Sequence, residues 1–321
     1  MNYAWSKGNF ARDFGGVEAW GGGGVAQNKA QRLAELQDMK DHGVAVVRWW
    51  VFPALWSDGI AKDSWGVPTG LTSRALEDLQ AALDLARQAD ILLQPTLFSF
   101  DNFNKDKDIG PHIKHFSMAP MITDPERRSR LINNVVRPFA RAVSDSPNGD
   151  RVMSWDLINE PEWAIAGRDP YGDPKFDPQA ALDPVSFADM ERFVQEAVAA
   201  LRQESAAPIT VGGSAVKWAK AWSRCDLNFY TFHLYGWVNE HYPYDRTPAS
   251  YGITDKPAVI GEFPLKGLPG VPYGTLVNAL LKNGWAGAMG WAVTDGPWEA
   301  AKAEVKAFAD ARLQEGRDLV S

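Results

Sequence analysis

Eight short apolar runs, spaced along the chain and separated by stretches of helical length, constrain this sequence more than any other feature. The runs lie at 2–5, 44–50, 91–98, 152–158, 209–212, 229–235, 258–262 and 286–293. Several are apolar almost throughout, as strands covered on both faces must be. Helical patterns occupy 27–42, 73–89, 125–143, 185–203, 274–283 and 298–313, while the fifth and sixth connections look short or irregular. Strand–helix alternation of this kind predicts βα units on a parallel sheet. Eight of them predict an α/β fold closed as a single (β/α)8 TIM barrel, with residues 1–321 as one catalytic domain.

An open, doubly wound sheet would carry a glycine-rich phosphate loop after its first strand. Gly21-Gly22-Gly23-Gly24 lacks the spacing of such a loop and does not directly follow an apolar run, so it reads as a flexible turn. The loops at 51–72, 99–124 and 161–184 are long and rich in Trp, Phe, Asp, Gly and Pro. In a barrel they form the rim at the carboxyl ends of the strands, where binding and catalysis take place.

Composition narrows the partners. A formal charge of −7 and no Lys/Arg run argue against nucleic acid. Cys225, the only cysteine, excludes an intramolecular disulfide and a cysteine-based metal cluster. The start, Asn2-Tyr3-Ala4-Trp5, has no charged n-region or apolar h-region, so no secretory signal is expected within the chain, and the compartment stays open. No apolar stretch approaches the roughly 18 residues that span a bilayer, so no membrane partner is expected. The 14 tryptophans are many for this length, and some should face a ligand.

The sharpest local feature is Trp155-Asp156-Leu157-Ile158-Asn159-Glu160-Pro161, an apolar strand ending in an amide and a carboxylate before a proline. A second run, Pro257-Ala258-Val259-Ile260-Gly261-Glu262-Phe263-Pro264, repeats the pattern three strands later. A lone glutamate of this kind is usually a turn residue or a surface ion pair. Two of them, on strands facing each other across a barrel mouth, form the pair a glycosidase needs. Retention of anomeric configuration requires carboxyl groups about 5–5.5 Å apart, one attacking carbon and one protonating oxygen. Their environments must differ, so that one stays protonated while the other is ionised. Arg48 and, on one face of the sixth run, His233 and Tyr235 are candidate tuners of that difference.

These residues, in order along the chain, resemble the clan A glycoside hydrolases, and within them the cellulase- and mannanase-like members of glycoside hydrolase family 5. The resemblance rests on Arg48, Asn159-Glu160-Pro161, His233-Leu234-Tyr235, Glu262 and Trp291. It implies Glu160 as acid/base, Glu262 as nucleophile and Asn159 as ligand of the sugar 2-hydroxyl. It further implies that Arg48 and Tyr235 hold Glu262, that His233 adjoins Glu160, and that Trp291 floors the cleavage subsite. One departure stands out: members usually carry a histidine after the third strand, where this chain reads Leu97-Phe98-Ser99-Phe100-Asp101.

The expected activity is cleavage of a β-linked glucan or mannan within its chains, through a covalent glycosyl-enzyme, by a monomer without cofactor or metal. Terminal cleavage or transfer to a sugar acceptor is the alternative, and a non-catalytic carbohydrate-binding barrel is the rival of another class. Trp163 and Trp237 are candidates to line sugar subsites, whereas Trp155, Trp218 and Trp285 are expected in the core. His112 and His115 lack the H-E-x-x-H spacing of a metal site and read as structural. Asp169, Asp173, Asp177 and Asp183 sit among prolines and a glycine as turn residues, and the charges at 105–108 read as a solvated loop.

Overall fold

The structure, a computed structural model, describes residues 1–110, 112–236, 244–294 and 296–318, with side chains described through residue 314. Seven strands pair in parallel in chain order: β1 (Val46–Trp50), β2 (Leu92–Ser99), β3 (Trp155–Asn159), β4 (Ile209–Gly213), β5 (Tyr230–His233), β6 (Ala258–Pro264) and β7 (Gly287–Trp291). Every residue of β3 and β4 is buried, which is why their sequences show no polar face.

The eighth place is filled by the amino-terminal segment, and here the expected strand at 2–5 is corrected. Only Asn2 bridges β1, opposite Arg48. Its N–H donates to the Gly290 carbonyl at 3.0 Å, its carbonyl accepts from Val293 N–H at 3.0 Å, and Tyr3 N–H donates to the Arg48 carbonyl at 2.9 Å. The segment therefore closes the barrel between β7 and β1. The chain bends away at Trp5, so a bridge forms where a ladder was expected.

The connecting helices fall where their periodicity predicts, at Lys29–Asp41, Ser73–Gln88, Phe187–Glu204, Tyr273–Lys282 and Trp298–Asp318. Ser186 caps the third of these through the Asp189 N–H, a first-turn donor with no partner inside the helix. The helix expected at 125–143 is three pieces in series, Pro125–Leu131, a π-helical turn at Ile132–Val136 and Arg137–Ser144. The wide turn lets Asn134 donate to the Pro68 carbonyl at 2.9 Å, joining the helix to the rim. Among the described residues the fifth and sixth connections contain only the 3-10 turns Val216–Trp218 and Pro248–Tyr251.

The three long loops carry small pairings of their own: hairpins Ile60–Lys62 with Pro68–Leu71 and Lys107–Gly110 with Ile113–His115, and the parallel pair Ile165–Ala166 with Val185–Ser186. These stiffen the rim above one end of the barrel. Among the described residues no helix is long and apolar enough to cross a membrane.

Candidate active site

The upper interior of the barrel is polar, and its centre is Arg48. This third residue of β1 is fully buried, so each of its donors must find an acceptor. Nε donates to Asp156 Oδ2 at 2.8 Å, Nη1 to Asn2 Oδ1 at 2.9 Å and to Glu262 Oε1 at 2.7 Å, and Nη2 to Asn159 Oδ1 at 2.8 Å. Asp156 accepts in addition from Thr96 Oγ1 at 3.2 Å and from Gly212 N–H at 2.8 Å. Glycine at 212 is required by close approach, because a Cβ there would lie 2.8 Å from Arg48 Nη2 and 2.9 Å from Asp156 Oδ2. One guanidinium thus binds side chains from β1's neighbour at the seam, from β3 and from β6.

Glu160 follows β3 in a left-handed conformation, φ 49° and ψ 47°, and opens the 3-10 turn Pro161–Ala164. For a residue with a Cβ this geometry is strained, and it turns the carboxyl off the strand line into the barrel mouth. Oε1 lies 2.7 Å from His233 Nδ1, and Oε2 accepts from Trp163 Nε1 at 3.0 Å. Glu262 lies within β6, which continues to Pro264 instead of ending at the carboxylate. Its Oε2 accepts from the Tyr235 hydroxyl at 2.9 Å, opposite the Arg48 contact on Oε1. Carboxylate oxygens of Glu160 and Glu262 approach within 4.8 Å, and His233 stands between them.

The two carboxyls differ in their partners. Burial pushes Glu160 up to about 8, opposed by the Trp163 hydrogen bond and by Arg48, with the negative charge of Asp101 adding to the rise. Burial also raises Glu262, against the pull of His233 and Arg48 and the Tyr235 hydrogen bond. The carboxyl in contact with a guanidinium and a phenol is the one that ionises first. Burial lowers His233 to about 4, so its ring is neutral and its Nδ1 accepts a hydrogen bond from the protonated Glu160 carboxyl or, in the other tautomer, donates to the carboxylate. Although these three side chains could hold a metal, both Glu262 oxygens are already engaged by Arg48 and Tyr235.

Aromatic walls flank this centre. Trp291, half-buried, lies 5.9 Å from Trp5 and 5.5 Å from Trp50 between ring centroids. A cavity of about 630 Å³ borders it on the side of Tyr235, Leu265 and Pro297. A second, of about 450 Å³, continues from Trp5 past Phe10, Trp20, Trp56 and Asp101. Asp101 belongs to the stretch that departs from the family pattern, and it accepts from Ser99 Oγ at 2.7 Å.

The remaining sequence candidates separate clearly. Trp163 reaches the centre, and Trp237 lies outside the described residues. Trp155, Trp218 and Trp285 are buried, with their indole N–H groups bonded to Ser205 Oγ, the Pro174 carbonyl and the Arg246 carbonyl. His115 is buried against the Asn104 carbonyl at 2.9 Å. Asp169 accepts from the Tyr171 and Asp173 N–H groups, as a turn residue does. Asp156, Asn2 and Glu162 are site residues that sequence reasoning passed over. The only signal for Asp156 was a charge inside an otherwise apolar strand.

No family model matches the chain. Over 331 residues it is 26% identical to a mannan endo-1,4-beta-mannosidase of Mytilus edulis, covering 92% of this chain and 83% of that protein. A mannan endo-1,4-beta-mannosidase of Cryptopygus antarcticus is 24% identical, covering 92% and 80%. Among solved structures, the beta-mannanase of the blue mussel Mytilus edulis superposes with a TM-score of 0.76 at 24% identity, over 95% of this chain and 90% of that one. The beta-1,4-mannanase of the sea hare Aplysia kurodai gives 0.75 at 21% identity, over 95% and 91%. The α/β barrel read from the sequence is the fold these proteins share with it.

Proposed function

We propose that this glycoside hydrolase, a relative of the family 5 β-mannanases, cuts β-1,4-linked mannan within its chains by double displacement, with Glu160 as acid/base and Glu262 as nucleophile. The observation that carries this reading is the approach of the two carboxyls within 4.8 Å. That leaves no room for the water an inverting pair must hold between its carboxyls, and it matches the retaining spacing.

In the first step an ionised Glu262 oxygen attacks the anomeric carbon while Glu160 gives its proton to the departing glycosidic oxygen. Arg48 and Tyr235 hold Glu262 in line from both sides. Asn159 accepts on Oδ1 from Arg48 and donates through Nδ2 to Ser99 Oγ at 3.5 Å, a long bond that its N–H2 exchanges for one to the sugar 2-hydroxyl. Trp291 offers an aromatic face to the sugar C–H groups. In the second step Glu160, now a carboxylate, takes a proton from water, which attacks the same carbon and frees Glu262.

Internal cleavage is favoured by two cavities, one bordered by Trp291 and one beginning at Trp5, whose ring packs on Trp291; together they suit a chain passing through better than a chain end. The test is digestion of purified β-mannan with sizing of early products and NMR of the first anomer formed. Short internal fragments with β-configured ends are expected. Release of single sugars only would favour terminal attack, α-configured ends would remove the retaining mechanism, and wild-type activity in Glu262→Gln would remove the nucleophile.

A further inference from the structure

Two residues after the acid/base, Glu162 is 1% exposed and pairs with no cation among the described residues. Its Oε2 accepts from the Ser214 backbone N–H at 3.0 Å, and its Oε1 from Trp222 Nε1 at 2.7 Å. A carboxyl buried without a cation is costly, and it is retained where its hydrogen bonds hold something. Here it holds the 3-10 turn Pro161–Ala164, which carries Glu160 at one end and Trp163, the donor to Glu160, in its middle.

That turn needs holding. Glu160 sits at a left-handed φ of 49°, a conformation that persists only where the surroundings over-determine it. Its own N–H is tied to the Gly212 carbonyl at 2.6 Å, so the strand side is fixed. Glu162 supplies the second tether, from the turn to the residues just after β4. Trp222 is itself stacked on Phe187 at 5.8 Å, so the anchor is rigid. At Gly213 even a Cβ would come within 3.3 Å of Glu162 Oε1, which shows how closely the carboxyl is enclosed.

We propose that Glu162 is a positioning residue for the acid/base, clamping the turn so that the Glu160 carboxyl meets the departing glycosidic oxygen. It rests on the reading of Glu160 given above. It concerns protonation of the leaving group and not nucleophilic attack, which Arg48 on β1 and Tyr235 just after β5 serve.

Leaving-group dependence separates this role from a merely structural one. Glu160→Ala and Glu162→Ala are compared with wild type on 2,4-dinitrophenyl and phenyl β-mannobiosides, because dinitrophenolate departs without a proton and phenolate does not. For Glu162→Ala the glycosylation rate on the phenyl substrate should fall on the order of tenfold, within the span of general acid catalysis. The dinitrophenyl rate should fall far less. Trp222→Phe, which removes one donor and keeps the ring, should show the same split more weakly and decides the matter if Glu162→Ala does not fold. Equal losses on both substrates, or no loss on either, would overturn the clamp. Absence of the split in Glu160→Ala would instead overturn the acid/base reading, and the clamp with it.

Discussion

Asp156 grips one edge of Arg48, at 2.8 Å from Nε and 2.7 Å from Nη2, and so leaves Nη1 aimed at Glu262. Both partners of this ion pair are fully buried, and without the Asp156 charge Arg48 keeps Glu262 as its remaining counter-charge. Asp156→Asn should therefore destabilise the fold by roughly 1–3 kcal/mol, the cost of weakening buried charged hydrogen bonds and not of an unpaired ion. It should also lower kcat/KM on mannan about tenfold or more, because Arg48 loses its orientation. Thermal unfolding and steady-state kinetics on the purified variant check both, and a variant with normal melting and normal turnover would show that the grip is dispensable.

The pH–rate profile should have a basic limb set by Glu160. Its folded value near 8 means that the proton needed by the leaving group is lost as pH rises past that point. On the phenyl substrate kcat/KM should fall above about pH 8, and the limb should vanish in Glu160→Ala. A profile that stays flat to pH 10 would contradict this.

The same shift has a stability consequence. Glu160 is raised on folding, from 4.5 to about 8, so its neutral form is favoured in the native state. No penalty exists below the unfolded value, and the penalty grows as pH rises through the interval toward the folded one. Glu160→Gln, able to accept from Trp163 and donate to His233, should thus melt above wild type at pH 8–9, by on the order of 3 kcal/mol. The two should converge near pH 4, and calorimetry across that range decides it.

Gly212→Ala should impair catalysis without touching substrate. The added methyl would sit against Arg48 Nη2 and Asp156 Oδ2, and buried backbone on β4 leaves little room to yield. We expect kcat to fall with KM nearly constant, since the displaced group is the support of Glu262, the proposed nucleophile. An equal change in KM alone would point to the cleft instead.

Much of the site was legible because barrels put chemistry at strand ends. An apolar run that stops in Asn159-Glu160 or passes through Glu262 announces an inward carboxylate, and Arg48 in an apolar strand announces its counter-charge. What stayed hidden depends on tertiary contact. Asp156 looked like one residue of an apolar run, and Asn2 like the start of a strand, yet both bind Arg48 across the barrel. Glu162 had the look of a turn charge until the chain brought Ser214 and Trp222 onto it. The π-helical turn at Ile132–Val136 has no periodic signature that distinguishes it from ordinary helix.

Asn2 does two jobs at the seam where the sheet meets itself. Its backbone joins the first and last strands, while its side chain accepts from Arg48 and donates to the carbonyl of Gly261, the neighbour of Glu262. Parting the sheet at that joint would pull the Glu262 carboxylate out of register in the same motion. Heat inactivation and loss of tertiary structure should therefore follow one curve, and an assay for turnover serves equally as a gauge of whether the cylinder is shut.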